Sequence, residues 1–327
     1  MDAGPRRARK RRLARDDGAS GWRRRPHGQA NTAPSERRRQ RASTAPSSHQ
    51  KRILRSLPRS RFGMLLRSLS AELGQPACGN CRDGEPLDFT VRMAFQPIVD
   101  AATRSIYAYE ALVRGEDGSG AAAVLARVRP QQMYRFDQTC RVQAIATAAQ
   151  LGLRTRLSIN FIPNAVYEPA TCIRLTLRAA EHFGVPTGDL IFELSESERI
   201  ADLPKVVRIL RDYAQRGFLT AIDDFGAGHS GLNLLADFQP HLIKLDMALI
   251  RGIDGSAARR HIVGGIVAMA APLGCRILAE GVETPAEYRA LRALGIDLYQ
   301  GYLFAKPALE ALPDVTEAQW EALERAG

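Results

Sequence analysis

Two adjacent aspartates, Asp223 and Asp224, are the strongest chemical signal in this chain of 327 residues. They follow the apolar run 218–222 and precede a glycine-rich turn, Gly226-Ala227-Gly228. A β-strand that ends in two carboxylates brings two like charges together, and their repulsion is costly unless a cation lies between them. The pair therefore predicts a metal site at the end of a strand.

The same arrangement recurs along the chain, where apolar, strand-like segments end in a carboxylate, an amide or an ammonium group. The residues concerned are Glu110 with Arg114 beyond it, Asn160, Glu193, Asp223, Asp224, Lys244, Glu280 and Gln300. Any one of these acidic side chains could be a solvated loop residue. Polar groups at equivalent positions of successive strands instead indicate one shared site, because parallel strands of a barrel end at the same face.

The composition of this set favours hard divalent cations. Five carboxylates and an amide, without His or Cys, are oxygen-rich ligands of the kind that Mg²⁺ and Mn²⁺ prefer and zinc does not. Asp223 and Asp224 suit two neighbouring metal ions that clamp the attacking and leaving oxygens of an in-line displacement at phosphorus. Lys244 and Arg114 supply the positive charge that a phosphodiester transition state requires. The residues alone thus predict a metal-dependent phosphodiesterase.

The elements that must position these residues alternate from residue 89 onward. Strands are predicted at 90–99, 105–113, 157–160, 190–194, 218–223, 242–244, 276–279 and 298–300. Helices are predicted at 121–127, 133–151, 171–183, 203–216, 232–237, 257–273, 285–294 and 315–325. A short turn makes the first two strands antiparallel, and helical crossovers make the others parallel. This pattern predicts an α/β fold, a TIM-like (β/α)8 barrel with one antiparallel strand.

Charge is unevenly distributed along the chain. Residues 1–61 contain 19 Lys or Arg against 4 Asp or Glu, a net charge of +15, whereas the whole chain carries +11 and residues 62–327 therefore −4. This Arg-rich arm has few aliphatic residues and is predicted to be disordered. Three interpretations of this arm stay open. It binds nucleic acid or a membrane surface, it is a solvated tail, or translation starts later, at Met64 or Met93. No specific nucleic-acid partner is expected.

Residues 62–88 form a separate segment before the phosphodiesterase domain, which is predicted to span 89–327. Its apolar residues at helical spacing are Phe62, Leu65, Leu66, Leu69 and Leu73. They predict a short amphipathic helix that packs on the barrel or a partner subunit, or contacts a membrane surface. The single pair Cys78 and Cys81 is a weak metal signal, because a closed zinc site needs four ligands.

The composition also limits where the protein works. The longest apolar stretch, Ile262 to Leu273, contains two glycines and a proline and is too short to cross a bilayer. The basic start is not followed by the apolar core of a secretory signal. Five scattered cysteines, an odd number, favour reduced thiols over a disulfide framework. We therefore expect a cytoplasmic protein without a membrane span.

Residues 110–114, Glu-Ala-Leu-Val-Arg, resemble the signature that gives EAL-domain proteins, the cyclic di-GMP phosphodiesterases, their name. The likeness runs from about Ala94 to Pro307. It includes the motifs FQPI at 95–98, LSIN at 157–160, FELSES at 192–197, IDDFG at 222–226, IKLD at 243–246, AEGVET at 279–284 and QGY at 300–302. This resemblance implies the EAL fold, two Mg²⁺ or Mn²⁺ ions, hydrolysis of cyclic di-GMP to linear 5′-pGpG, and a homodimer formed through the barrel.

The resemblance also implies a role for each matching residue. The implied ligands of the first metal are Glu110, Asn160, Glu193 and Asp223, and those of the second are Asp223 and Asp224 with Glu280 close by. The implied catalytic residues are Lys244, which holds the hydrolytic water, and Glu280, a general base. The implied substrate contacts are Gln96, Arg114 and Gln300. The remaining roles fall to Asp246, which orients the lysine and the water, and to Glu196 and Glu283, which steady the loop 225–232 and couple metal binding to dimerisation.

Three residues beside these positions depart from the commonest family pattern, namely Ser195, Ala227 and His229. They put the dynamics of the loop in question more than the chemistry, and His229 is interpreted as a surface residue. The alternative function is a catalytically silent cyclic di-GMP receptor or protein-interaction module. Inactive EAL domains usually lack the glutamate of the signature, an aspartate of the pair or the lysine. All of these are present here, so the sequence favours an enzyme.

Overall fold

The computed structural model describes residues 85–166, 168–196, 202–228 and 231–325. The strands within these ranges are β1 (Val91–Asp100), β2 (Ser105–Gly115), β3 (Arg156–Asn160), β4 (Leu190–Ser195), β5 (Leu219–Phe225), β6 (Leu242–Leu245), β7 (Arg276–Ala279), β8 (Leu298–Tyr299) and β9 (Ala308–Leu309). The sheet runs from β2 through β8 in sequence order and then to β1, which also pairs with β2 and so closes the barrel. The short strand β9 adds to β1.

Helices connect the strands in the order expected for a (β/α) barrel. Within the described ranges they are α1 (Ala121–Leu125), α2 (Met133–Gln150), α3 (Pro169–Cys172), α4 (Arg174–Phe183), α5 (Leu203–Gln215), α6 (Gly231–Asp237), α7 (Met247–Ile250), α8 (Ala257–Ala270), α9 (Pro285–Ala293) and α10 (Glu317–Arg325). Their starts have local causes. At α9, Thr284 and Glu287 form a capping box ahead of Pro285, which satisfies backbone donors that a helix start leaves unpaired.

Strand direction matches the prediction from the sequence. β1 and β2 are antiparallel and joined by a short turn, and β1 is also antiparallel to β8. The pairings from β2 to β8 are parallel, with Asn160 opposite Glu193 between β3 and β4. The predicted closed barrel with one antiparallel strand is therefore confirmed.

A layer of apolar side chains fills the barrel interior beneath the polar strand ends. Its residues are Ile98, Ala108, Ile191, Ala221, Leu242, Leu278 and Leu298. Each of them lies two positions from one of the polar residues that were singled out from the sequence. Side chains two positions apart share one face of a strand. For example, Ala108 precedes Glu110 and Leu242 precedes Lys244. The polar groups therefore lie on an apolar floor.

The structure differs from the predicted elements in a few places. β5 continues past Asp223 to Phe225, and the single helix predicted at 171–183 is divided into α3 and α4, which meet at Ile173. Two short elements, α7 and β9, were not predicted, because four and two residues are too few to show a period. Among the described residues, no helix combines the length and apolar character needed to cross a membrane.

Several predictions concern residues outside the described ranges. These are the arm at 1–61, the amphipathic helix at 62–73, the cysteine pair Cys78 and Cys81, and the interpretation of His229. The boundaries drawn at residues 61 and 88 also stay predictions.

Candidate active site: a carboxylate cluster around Lys244

Lys244, near the end of β6, lies at the centre of the site and is almost fully buried. Its Nζ is 2.9 Å from Glu193, 3.0 Å from Asp223 and 2.8 Å from Glu280. A carboxylate oxygen of Glu110 lies 3.7 Å away. One ammonium group thus faces four carboxylates from four different strands or strand ends, and their charge exceeds what it can balance.

The carboxylate of Glu110 on β2 is held by two amides. Asn160 Nδ2 donates to Glu110 Oε1, and Gln300 Nε2 donates to Glu110 Oε2, both over 2.9 Å. On β4, Glu193 accepts a hydrogen bond from the hydroxyl of Ser158 on the adjacent strand β3. These contacts fix the orientation of two buried carboxylates toward the centre of the barrel.

Asp223 and Asp224 both line the cavity, although successive side chains of a regular strand point to opposite faces. The backbone explains how this is possible. The pairing of β5 with β6 shifts register between Ile222 and Phe225, and Asp224 has a left-handed φ of 54°. This rare conformation has a specific partner, because Ser195 Oγ donates to Asp224 Oδ2 over 2.7 Å.

The acidic side chains form two overlapping groups that could each hold a metal ion. In one group, oxygens of Glu110, Glu193 and Asp223 lie within 4.8 Å of one another. The second group consists of Asp223, Asp224 and Glu280 at the same spacing. Because Asp223 belongs to both, two ions could lie side by side and share one ligand. The all-oxygen donor set fits divalent cations of the hard class.

These groups open into a cavity of about 310 Å³. It is lined by Gln96, Glu110, Asp223, Asp224, Lys244, Asp246, Met247, Glu280, Gly281, Glu283, Gln300, Gly301 and Tyr302. The carboxylates and Lys244 form the charged base of the cavity, whereas Met247 and Tyr302 are half exposed. An apolar and an aromatic side chain beside these charged groups suit a ligand that has a flat ring.

Burial and crowding shift the acid–base properties of the cluster. Burial and the neighbouring carboxylates of Glu110 and Asp223 raise the pKa of Glu193 to about 8, against the opposing effect of Lys244. Burial also raises the pKa of Glu280 well above its usual value. Burial alone would lower the pKa of Lys244, but the carboxylates around it outweigh that effect and hold its pKa well above the ordinary value. The lysine therefore stays cationic.

Glu196 holds the chain that leaves β5. Its Oε2 accepts a hydrogen bond from the backbone nitrogen of Gly226, and its Oε1 accepts one from the backbone nitrogen of Gly231, both over 2.7 Å. Gly226 has a φ of 97°, which side-chain-bearing residues rarely adopt. A Cβ on Gly231 would lie 2.8 Å from the Glu196 carboxyl group, so this contact requires glycine. One carboxylate thereby spans both ends of the loop.

Other residues singled out from the sequence are placed less directly. Gln96 lines the cavity, and its amide donates to the carbonyl of Ala305. Asp246 also lines the cavity and caps α7 through the backbone nitrogen of Ala248. Glu283 lies at the cavity wall.

Two predicted roles have no direct contact to support them in this structure. Arg114 donates to the carbonyl of Val113 on its own strand and is not among the residues that line the cavity. Glu283 pairs with Arg251 over 2.9 Å, whereas both loop hydrogen bonds described above come from Glu196.

Four contributors to the site were not recognised from the sequence. Ser158 lies two residues before Asn160 on the same strand, so the period of two could have identified it. Ser195 was noted only as a departure from a family pattern, and its contact with Asp224 depends on strand register. Tyr302 was noted only as part of the motif at 300–302, and Met247 gives no sequence signal that separates it from ordinary surface residues.

The comparison with known families agrees with this geometry. The EAL domain family matches residues 88–307, which is more than half of the chain. The chain belongs to the EAL domain family.

The barrel of this EAL chain resembles solved EAL structures. The c-di-GMP-bound form of a standalone versatile EAL protein from Vibrio cholerae O395 shares 50% sequence identity with a TM-score of 0.70, over 72% of this chain and 99% of that protein. The fold and the family are therefore supported by independent comparisons.

Curated relatives of this EAL chain are more distant. The blue light- and temperature-regulated antirepressor BluF of Escherichia coli (strain K12) is 32% identical over 68% of this chain and 55% of the relative. Cyclic di-GMP phosphodiesterase PA2567 of Pseudomonas aeruginosa is 31% identical over 68% of this chain and 39% of the relative. The chain thus spans about half the length, or less, of these relatives.

Proposed function

We propose that this protein hydrolyses one phosphodiester bond of cyclic di-GMP to give linear 5′-pGpG, with two Mg²⁺ or Mn²⁺ ions as cofactors. The observation that carries the proposal is the pair of overlapping carboxylate groups around Lys244, which share Asp223. The similarity to a c-di-GMP-bound EAL protein and to a named cyclic di-GMP phosphodiesterase supports the choice of substrate and reaction.

Charge supports the requirement for metal ions. Cyclic di-GMP has two phosphodiester groups and is a dianion, and the five carboxylates of the cluster would repel it, since the single ammonium group of Lys244 among them cannot balance their charge. Glu110, Asn160, Glu193 and Asp223 would hold one cation, and Asp223, Asp224 and Glu280 the other. When bound, such a pair offsets the charge of the phosphodiester and makes water a better nucleophile.

The residues of the chain would contribute positioning and proton transfer. Hydrolysis that leaves a 5′-phosphate breaks the bond between phosphorus and the 3′ oxygen, and water supplies the new oxygen. Glu280, whose pKa is raised by burial and whose carboxylate contacts Lys244, is suited to accept the proton of that water. Lys244 is suited to hold the water and to stabilise the negative charge that develops. Gln96, Arg114 and Gln300 are proposed to contact the substrate, and Asp246 to orient the lysine and the water.

A second candidate function is a regulatory EAL module that does not turn over its ligand. It is favoured by one observation, the similarity to BluF, which is named as an antirepressor rather than a phosphodiesterase. The two candidates predict different outcomes for the same protein, since a receptor would bind cyclic di-GMP and return it unchanged. Interaction with other proteins and formation of a homodimer stay predictions in either case.

Product analysis distinguishes these functions. The purified 327-residue chain is incubated with cyclic di-GMP and either Mg²⁺, Mn²⁺, Ca²⁺ or excess EDTA, and the products are separated by liquid chromatography. We expect linear pGpG with Mg²⁺ or Mn²⁺ and none with EDTA, and we expect Ca²⁺ to inhibit because its looser coordination spoils in-line geometry. Asp223→Asn and Glu110→Gln are the matched inactive controls. Binding without turnover in every metal would support the receptor, and turnover in EDTA would exclude the two-metal proposal.

A further inference from the structure

A buried ion pair lies behind the carboxylate cluster, on the outer side of the barrel wall. Arg141 Nη2 is 2.7 Å from Asp137 Oδ2, and the two side chains are 0% and 1% exposed. Both residues belong to α2 and are one helical turn apart. Burying two charges is costly, and apolar side chains of similar volume often fill such a space without loss of stability. The pair therefore calls for a role beyond packing.

The pair contacts the chain directly after Asn160. The backbone nitrogen of Ile162 donates to Asp137 Oδ1 over 3.0 Å. The Arg141 guanidinium carbon lies 5.5 Å from the centre of the Phe161 ring. Phe161 and Ile162 are the two residues that follow Asn160, so the ion pair holds the segment that leaves β3 from both its backbone and its side chain.

The same arginine also contacts the residue directly before Glu193. Its guanidinium carbon is 5.2 Å from the centre of the Phe192 ring. Because side chains alternate along a strand, Phe192 faces the outer core while Glu193 faces the barrel interior and contacts Lys244. The rings of Phe161 and Phe192 meet edge to face at 5.9 Å, and the Phe161 nitrogen donates to the Glu193 carbonyl over 3.1 Å. Arg141 thus packs against residues adjacent to Asn160 on β3 and to Glu193 on β4.

A third ring fixes the guanidinium group in this position. Arg141 Nη1 donates to the hydroxyl of Tyr213 on α5 over 3.1 Å, and the Tyr213 ring is 4.9 Å from that of Phe192. The planar guanidinium therefore has a carboxylate and a hydroxyl in defined directions and aromatic rings beside it, which lysine could not reproduce.

We propose that Asp137 and Arg141 are positioning residues for the metal centre. They act through Phe161 and Phe192 to set the orientation of Asn160 and Glu193, two side chains on different strands that are assigned to one cation. The proposal rests on the proposed function, because it requires that these two residues bind a metal ion. It adds a buried cluster on the far side of the barrel wall that touches neither the substrate nor the metal.

The test compares Mn²⁺ affinity with stability in full-length protein. Phe161→Leu removes an aromatic ring beside Arg141, and Tyr213→Phe removes the hydroxyl to which Arg141 donates. Both variants keep the two charges paired, so they carry the test even if Arg141→Lys or Asp137→Asn fails to fold. Phe183→Leu is the matched control, since Phe183 is also buried but lies at the end of α4, where the chain turns to enter β4 at the opposite end of the strand. Mn²⁺ dissociation constants come from electron paramagnetic resonance titrations, and stability from thermal denaturation in EDTA.

We expect Phe161→Leu to raise the Mn²⁺ dissociation constant about tenfold, as loss of a residue that orients metal ligands does elsewhere. Tyr213→Phe should raise this dissociation constant by a smaller factor. Phe183→Leu should lower thermal stability and leave the Mn²⁺ dissociation constant unchanged. Wild-type Mn²⁺ affinity in both Phe161→Leu and Tyr213→Phe, or an equal loss of affinity in Phe183→Leu, would overturn the positioning role. A wild-type protein that binds no Mn²⁺ would instead overturn the proposed function.

Discussion

The hydroxyl of Ser195 donates to the carboxylate of Asp224 over 2.7 Å, which joins the end of β4 to the left-handed residue of β5. In a regular strand Asp224 would point away from Asp223. The hydrogen bond gives the unusual backbone conformation a partner that keeps both carboxylates at the cavity. The geometry of the second proposed metal site therefore depends on a serine that binds no metal.

Removal of this hydroxyl should weaken the second metal site. We expect Ser195→Ala to raise the Mn²⁺ dissociation constant of this second site about tenfold, because Asp224 loses the donor that orients it. Ser195→Thr keeps the hydroxyl and should behave as wild type. Calorimetric titration with Mn²⁺ measures both sites. Identical titration curves for the alanine and threonine variants would show that Asp224 needs no such partner.

Glu196 should influence metal binding although it lies outside both carboxylate groups. Glu196→Ala removes the acceptor for the nitrogens of Gly226 and Gly231, so the loop after Asp223 and Asp224 loses its anchor. We expect at least a tenfold loss of activity at limiting Mn²⁺. Excess Mn²⁺ should restore part of it, because ligand binding favours the ordered loop by mass action.

The measurement is the Mn²⁺ dependence of cyclic di-GMP turnover for wild type, Glu196→Ala and Glu196→Gln. Glutamine keeps one acceptor oxygen and should fall between the other two. If all three proteins have the same Mn²⁺ dependence, the contacts of Glu196 serve only local structure.

The barrel could be predicted because each strand is a short apolar run followed by a polar residue. Residues two apart share a face, so Leu242 beneath Lys244 follows from the pattern of the sequence alone. The direction of Asp224 could not be predicted, because it depends on a register shift and a positive φ that no residue type announces.

Contacts distant in sequence could be predicted only in part. The resemblance assigned Glu196 to the loop 225–232, but its partners, the backbone nitrogens of Gly226 and Gly231, could not be named, because a backbone donor leaves no mark in the sequence. Arg141 was part of a predicted helix, where a charged residue is expected to face solvent rather than three buried rings.

Lys244 and Arg114 should give opposite kinetic signatures. Lys244→Ala should lower kcat by orders of magnitude and leave KM within about tenfold, because a residue that holds the attacking water acts mainly in the transition state. Arg114→Ala should mainly raise KM, since a guanidinium paired with a phosphate also stabilises the bound ground state. In the free protein Arg114 bonds the carbonyl of Val113 and would have to turn toward the substrate.

Steady-state kinetics at saturating Mn²⁺ checks both variants. A Lys244→Ala enzyme with wild-type kcat and a raised KM would assign the lysine to substrate binding. An Arg114→Ala enzyme with unchanged KM would remove Arg114 from the substrate contacts, in agreement with its position outside the cavity lining.

Glu193 gives the metal-free protein a pH dependence of defined sign. Its pKa is raised to about 8 in the fold, from 4.5 for an unperturbed glutamate. Between these values the folded state retains a proton that the unfolded state has lost, so the contribution of Glu193 to the free energy of unfolding decreases as pH rises. Metal binding needs the ionised carboxylate, so Mn²⁺ affinity should increase over the same interval.

Urea denaturation in EDTA between about pH 5 and pH 8 tests this sign. Glu193→Gln cannot lose a proton, and its free energy of unfolding should fall less steeply with pH than that of wild type. Glu181→Gln, at an exposed position on α4, is the matched control and should follow the wild-type curve. Parallel curves for wild type and Glu193→Gln would mean that Glu193 is already ionised in the metal-free protein, with Lys244 outweighing both its burial and the neighbouring carboxylates.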